Sequence, residues 1–466
     1  MKAVKILKTL IAIPALLALA FQSFASQHPK AFDVDDKVLF VGDSITAGGY
    51  YIKHIMLYYI TRFPNAKACF INSGISGDYC DGLLWRMDWD ILSNKPDVAT
   101  LMIGMNDVSR NSFSTSEKAK PMHKDRLLAR RKSYAEKLSK IIEALSENSR
   151  SLIVFTPSIY DQSARIKCEN LIGVNDELSI YGNIGAELAS NTGNARVVDM
   201  SAAMAKTNLA YQNSEGSDKT IIGPDRVHPG DVGGLVMAKT FIESFGESPT
   251  VYNLHIDAPS QSVKYANNCE VQDLKSDTCK TTFSLREESL PYPFTAETEK
   301  IDKYINFTET FNLQKLKISS LPVGDYSLEI DGKEVGIYSS EDFSKGINLS
   351  KNRKTPQYAQ AMEVLKLCEQ FRNLNVKYRN FFLPELFTFR ECYGKDAAQR
   401  MEIIKEKYLK IKANKNSNPY VLKCFKNYIE NQREREMLPQ KIKNVLDCAY
   451  NEAQAKSHIY TIKLKK

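Results

Sequence analysis

Lys37-Val38-Leu39-Phe40-Val41-Gly42-Asp43-Ser44 is the stretch that decides how the first half of the chain folds. An apolar run without polar alternation suits a strand buried on both faces, and the turn after it presents a hydroxyl at the sheet edge. The arrangement recurs. Residues 68–72 run into Ser73-Gly74-Ile75-Ser76-Gly77-Asp78, and 98–103 run into Gly104-Met105-Asn106-Asp107. Residues 152–156 and 197–199 complete five strand candidates, with helix-like stretches at 50–62, 81–91, 116–146, 177–190 and 231–245. Strands separated by helices predict an α/β fold with a parallel sheet covered on both faces. Ligand sites in such sheets lie beyond the carboxyl ends of the strands, where these polar segments fall.

A fourth segment, Asp225-Arg226-Val227-His228-Pro229, precedes a small-residue helix start. Acyl transfer needs an attacking oxygen, a base within hydrogen-bond reach, and donors where negative charge develops. Ser44 supplies the oxygen. His228 is the base, and Asp225, three residues earlier, can accept its ring N–H and fix the tautomer. The backbone N–H groups of Ser44 and Gly77 and the side-chain amide of Asn106 make up the oxyanion hole, with Gly74 a competing glycine. Asp43, Asp78 and Asp107 are expected to hold loops through backbone bonds. His54 lies in an apolar helix and reads as a core histidine; His123, in a charged stretch, reads as a surface one. Tyr160 and Asp161, after the fourth strand, are candidates for lining the substrate cleft.

These four segments resemble the conserved blocks of the SGNH/GDSL hydrolase superfamily (GDSL-like esterases and lipases): Gly-Asp-Ser, a glycine after the second strand, Gly-x-Asn-Asp and Asp-x-x-His. The resemblance spans roughly residues 35 to 248. It implies Ser44, Gly77, Asn106 and His228 as signature residues, with Asp225 the carboxylate, and favours Gly77 over Gly74 because an Asp follows the matching glycine. It also implies a flavodoxin-like three-layer α/β/α sandwich that cleaves esters or thioesters without a metal or other cofactor. Other templates are missing: there is no Gly-x-Ser-x-Gly, no Gly-x-x-x-x-Gly-Lys and no Gly-x-Gly-x-x-Gly.

A chain of 466 residues, 43% of them hydrophobic, can bury more than one core. Lys2, Lys5 and Lys8 precede an apolar run ending near Phe21, and Ser23-Phe24-Ala25 offers a small-x-small cleavage site. Residues 1–25 therefore read as a signal peptide, giving an exported (periplasmic or secreted) protein with no transmembrane span in the mature chain. Residues 26–248 form the hydrolase domain. Residues 249–350 carry strand candidates at 251–256, 269–274, 281–285, 313–318, 326–330 and 334–338, with Asp331-Gly332 as a tight turn, and predict a small β-sandwich. Residues 351–466 read as a basic helical hairpin or bundle with interruptions at Pro384, 414–419 and Pro439. That region holds 25 Lys+Arg against 12 Asp+Glu, a net +13, whereas the whole chain is +8. A basic face could meet an acidic glycan or envelope surface, although a solvated helix face is the plainer reading. No motif supports nucleic-acid binding.

Export would permit disulfides among the nine cysteines. Cys368, Cys392, Cys424 and Cys448 are spaced symmetrically, which predicts nested Cys368–Cys448 and Cys392–Cys424 bridges, with Cys269–Cys279 closing a short loop. Buried free thiols are the alternative. The expected activity is that of an exported serine ester hydrolase acting on an acylated carbohydrate, with acetyl removal first. A lipase, long-acyl esterase or thioesterase, and a non-catalytic glycan- or envelope-binding protein on a hydrolase scaffold, are the other readings.

Overall fold

The computed structural model describes residues 30–114 and 124–465. Its first layer system is a five-stranded parallel sheet. Strands β1 (Lys37–Gly42), β2 (Cys69–Gly74), β3 (Val98–Met102), β4 (Ser151–Phe155) and β5 (Ala195–Val198) lie in the order β2-β1-β3-β4-β5. Each strand is a double-sided wedge. β1 sends Val38 and Phe40 into the core on one face and Leu39 and Val41 into the core on the other.

The helices of this part are α1 (Ser44–Gly48), α2 (Tyr50–Arg62), α3 (Cys80–Trp85), α4 (Lys124–Glu147), α5 (Val174–Ser190), α6 (Met200–Glu215) and α7 (Asp231–Ser244). α2 and α7 cover one face of the sheet; α3, α4 and α5 cover the other. α6, too mixed in composition to stand out in the sequence, caps the β5 end through the Asp199 carboxylate, which accepts the N–H of Ala202. The His123 reading and the signal-peptide reading fall outside the described residues. His54 is buried in α2, with Nδ1 2.6 Å from Tyr292 Oη and Nε2 3.0 Å from an Asp231 carboxylate oxygen.

Two further sheets follow. Strands β6 (Thr250–Asp257), β7 (Ser262–Asn267), β8 (Cys269–Ser276), β9 (Lys280–Glu287), β10 (Leu313–Ser319), β11 (Asp325–Ile330), β12 (Lys333–Ser339), β13 (Ile347–Asn348) and β14 (Ser457–Leu464) are arranged as β13-β10-β6-β7 and β12-β11-β14-β9-β8. Side chains from both sheets, among them Leu254, Ile256, Leu285, Leu316, Leu328 and Ile462, share one core. Asp331 and Gly332 both take positive φ (50° and 77°), the hairpin turn that their sequence suggested.

The last strand corrects the expectation of a purely helical 351–466. β14 sits between β11 and β9, in the middle of its sheet, so the end of the chain completes the sandwich that begins 200 residues earlier. Its buried His458, Tyr460 and Ile462 alternate with more exposed neighbours, a period of two inside a region otherwise patterned as helix.

Short helices α8 (Glu299–Ile305), α9 (Phe307–Phe311) and α10 (Ser340–Lys345) connect to α11 (Pro356–Arg379), α12 (Phe382–Phe387), α13 (Phe389–Cys392), α14 (Ala397–Ala413), α15 (Pro419–Glu430) and α16 (Gln432–Glu452). α16 runs through Pro439 instead of breaking there. α11 and α16 pack antiparallel: Gln360 bonds to the Glu452 and Gln454 carbonyls, and Lys377 pairs with Glu434. Their apolar faces (Val364, Cys368, Phe371, Leu446, Tyr450) join the same core as α2. α2 is consequently buried almost all round, which explains why it shows no polar stripe.

The disulfide expectations do not hold, since all nine cysteines are free. Cys269 and Cys279 stand at opposite ends of β8, a strand about 25 Å long. Cys368 is buried whereas Cys448 on the facing helix is exposed, so the two side chains point apart. Cys392 donates instead to Thr388 Oγ1, at 3.4 Å. The nested hairpin that the spacing suggested is present, held by packing. Among the described residues no helix is long and apolar enough to cross a membrane.

Glu287, fully buried where the sandwich meets α11, accepts bonds from Tyr460 Oη (2.7 Å), Gln357 Nε2 (2.6 Å) and Gln314 Nε2 (2.7 Å). Burial pushes its carboxyl up to about 7 despite these donors. Between the unfolded value, about 4.3, and that folded value, the native state holds a proton that the unfolded state has lost. Its contribution to stability is therefore full below the unfolded value and fades as pH rises through 7. Glu287→Gln should melt higher than wild type at pH 8, by a margin that shrinks toward pH 5 in thermal scans; a margin constant with pH would contradict this.

Candidate active site

β1 ends at Gly42, and Asp43 caps the next turn by accepting the N–H of Ile45 at 2.9 Å. Ser44 is thereby the first residue of α1, where its own N–H lies in the unbonded first turn. β2 delivers the second segment. Gly74 is there for packing, since a Cβ would stand 2.2 Å from Ala47 N, and its N–H is already donated to Asn72 Oδ1 at 2.9 Å. Gly77 differs. It has φ +83°, a conformation that favours glycine, and its N–H has no acceptor among the described residues. Of the two glycines, only Gly77 keeps an N–H without an acceptor among the described residues.

Across the mouth of the sheet, His228 Nε2 lies 2.7 Å from Ser44 Oγ, and Nδ1 lies 2.5 Å from Asp225 Oδ2. With the Ser44 hydroxyl donating to Nε2, Nδ1–H donates to the carboxylate. The other Asp225 oxygen accepts the N–H groups of Val227 and His228, both at 3.0 Å. Partial burial works to raise the Asp225 carboxyl, but the His228 ring and these two amides outweigh it and hold it well below the usual carboxylate range. Asp225 and His228 are each about half exposed, so a substrate can reach them.

Asn106 follows β3. Its Nδ2 donates to Asp78 O at 2.8 Å with one hydrogen, leaving the second free, and its Oδ1 accepts from Arg110 Nη1 at 3.2 Å. Asp78 in turn accepts from its neighbour's Tyr79 N–H and from Arg86 Nε, and Asp107 accepts the Cys80 N–H. The loop-holding roles expected of Asp43, Asp78 and Asp107 are what the bonds show.

Four arginines went unnoticed in the sequence. Arg86, fully buried, donates to Asp78, Asp90, Ser73 and the Gly42 carbonyl. Arg379 grips both Asp90 oxygens and the Gly74 carbonyl. Arg110 orients Asn106. Arg226, at φ 64°, feeds the carbonyls of Asp161, Ala164, Ile166 and Cys168, fixing the loop behind Asp225 and His228. An arginine has no periodic signature, so only the contacts disclose it. Asp161 is buried and saturated by Ser163, Ala164 and Thr220, and Tyr160 Oη is tied to Glu169 and Leu171. Both shape the loop that Arg226 anchors.

A cavity of about 400 Å³ opens beside Gly77. A larger one, about 960 Å³, lies at the outer edge of β2 against α11 and α16 and contains none of the residues that converge on Ser44. Chemistry, not volume, marks the site. Among the described residues no three His, Cys, Asp or Glu side chains gather as a metal site.

Removing Arg86 would leave the Asp78 and Asp90 carboxylates buried with half their partners gone. Arg86→Leu should lose about 3–5 kcal/mol in urea unfolding; a loss under about 1 kcal/mol would show that the network is dispensable.

Residues 40–234 match the GDSL-like lipase/acylhydrolase family. An acetylxylan esterase from Geobacillus stearothermophilus is 24% identical over 226 residues, covering 45% of this chain and 94% of that protein. The structure of a gut microbial diltiazem-metabolizing enzyme, 26% identical, covers 95% of this chain and all of its own with a TM-score of 0.83, so the sandwich and helices are shared as well. The converging side chains and the matched sequence thus agree: residues 40–234 of this chain match a GDSL-like lipase/acylhydrolase domain, and the chain is a carboxylic ester hydrolase.

Proposed function

We propose that the protein removes acetyl groups from a carbohydrate through an acyl-enzyme on Ser44. The observation that carries the mechanism is the unbroken relay from Ser44 Oγ through His228 to Asp225. Ser44 Oγ attacks the ester carbonyl while His228 Nε2 takes its proton, and Asp225 stabilises the imidazolium. The tetrahedral oxyanion is met by the N–H groups of Ser44 and Gly77 and the free amide hydrogen of Asn106. Collapse breaks the ester C–O bond, and His228 returns the proton to the departing alcohol. A water, deprotonated by His228, then attacks the acyl carbonyl and restores Ser44.

The carbohydrate substrate rests on the acetylxylan esterase relative, which the chain matches across nearly that protein's whole length. A second reading, a small-molecule ester, is favoured by the diltiazem-metabolizing enzyme, whose architecture matches almost the entire chain. The basic, apolar leader at 1–25 supports export. An intact relay speaks for catalysis and against a purely glycan-binding role.

Ser44→Ala should lower 4-nitrophenyl acetate turnover by about 10⁴-fold or more, and Asn106→Ala should lower kcat by about 10²–10³-fold. Full activity in Ser44→Ala would end the mechanism. Acetate release from acetylated xylan, measured against diltiazem, separates the two substrates. Arg110→Met frees the Asn106 amide to turn; kcat should fall about tenfold with KM nearly unchanged, because a donor's orientation matters more in the transition state.

A further inference from the structure

The C-terminal helices build one wall of the site. Arg372 Nε donates to Gly48 O at 2.9 Å, Arg379 Nε donates to Gly74 O at 2.9 Å, and Tyr420 Oη lies 3.0 Å from Ser76 Oγ. Tyr420 is itself held by Asn380 Oδ1 at 2.6 Å. These contacts fasten residues from α11 and α15 along the segments that carry Ser44 and Gly77. The 400 Å³ cavity opens just past them, lined by Gly77, Tyr79, Leu386, Phe387, Arg390 and Lys407.

Phe387 dominates it. Its ring edge stands 4.0 Å from where a Cβ on Gly77 would be, at the outer limit of an ordinary contact. Behind, it leans on the fully buried Phe425, at 6.4 Å between ring centroids. In front it is 40% exposed, and Tyr79 across the cavity is 36% exposed. A single wet ring on a surface is ordinary. Two half-bare rings, one braced from behind, beside a cavity that Gly77 also lines, make a stacking surface that is already in place before a ligand arrives.

We propose that this cavity binds the ring of the substrate's alcohol part, with the ring face stacked on Phe387 and Arg390 and Lys407 at the rim offering donors to its oxygens. The inference rests on Ser44 being the nucleophile and Gly77 an oxyanion donor. An acetyl group is far too small for about 400 Å³, whereas a pyranose or aryl ring suits it in size and in its flat apolar face. Glu391, near Lys407 at 3.7 Å, supplies an acceptor for hydroxyl groups at the same rim. A sugar and an aryl ester would share this stacking chemistry. The competing occupant is a long acyl chain.

The test compares kcat/KM for acetylated xylotriose, phenyl acetate and ethyl octanoate, each divided by the value for ethyl acetate, in wild type, Phe387→Ala and Phe387→Tyr. Phe387→Ala should lower a ring-to-ethyl ratio about tenfold, the upper range for losing one aromatic contact, and Phe387→Tyr should restore it. A fall for xylotriose marks a sugar subsite; a fall for phenyl acetate marks an aryl one. A fall confined to ethyl octanoate, or no change in any ratio with an unchanged melting temperature, would overturn the proposal. Turnover that survives in Ser44→Ala would instead remove the catalytic reading beneath it, so the two failures are distinct.

Discussion

The guanidinium of Arg86 has no contact with water, and the geometry of the site follows from where its five hydrogens go. They reach the ends of β1 and β2, through the carbonyls of Gly42 and Ser73, and the carboxylates of Asp78 and Asp90. Asp78 directly follows Gly77, and Gly42 directly precedes Asp43 and Ser44. One side chain therefore sets the spacing between the turn that carries Ser44 and the loop that carries Gly77. Such a buried cluster adds little net stability, because removing each ion from water costs several kcal/mol. What it fixes is position. Asp90 lies between Arg86 and Arg379 and is held below the usual carboxylate range although burial alone would raise it. Asp78 has Arg86 and the Tyr79 N–H, yet burial prevails there and raises it.

Arg379 carries the same network into the helical region. It enters from the end of α11, some 300 residues along the chain from Gly74, and shares Asp90 with Arg86. The region could have been a separate module beside an independent hydrolase. Its covalent and physical wiring says otherwise: α11 and α16 share the apolar core of α2, β14 closes the sandwich, and Arg372 and Tyr420 touch the loops of the site. The helices thus contact directly the loops that carry Ser44 and Gly77.

How much of this could be read from the sequence depended on the range of each signal. β1, β3 and β4 were legible because a strand buried on both faces is apolar at nearly every position, whereas the edge strand β5, with Arg196 exposed, was legible from its place after a helix. Ser44, Asn106 and His228 were legible because each follows a strand or precedes a helix within a few residues. Gly77 needed the family pattern, and only the backbone bonds show why Gly74 is occupied elsewhere. Arg86, Arg110, Arg226 and Arg379 were invisible, since the carbonyls and carboxylates they satisfy are distant in sequence or hidden in loops. β14 was missed because eight alternating residues after a long helix resemble a frayed end. The cysteine symmetry was a true signal of a folded-back helical pair and a false one of covalent bonds: symmetric spacing brings helices together but does not choose which face each thiol occupies.

Three carboxyl groups, on Asp43, Asp78 and Asp107, lie beneath the loops that carry Ser44, Gly77 and Asn106. At full ionisation they would oppose any negative charge formed there. Burial eases the conflict unevenly: it pushes Asp43 up to about 7 and Asp107 up to about 6, with the neighbouring carboxylates adding to the rise, and it raises Asp78 against the pull of Arg86. Each accepts a backbone N–H, from Ile45, Tyr79 or Cys80, which is the work the loop geometry requires of it. Depth thus lets Asp43 act as a rigid hydrogen-bond acceptor near neutral pH without its full charge, whereas Asp107 keeps most of its own. Asp225 is the contrast. Half exposed and bonded by three N–H groups, it stays ionised, and it is the one carboxylate here placed to stabilise a positive charge on His228. The spread between the raised and the lowered acids follows burial and partners, not residue type.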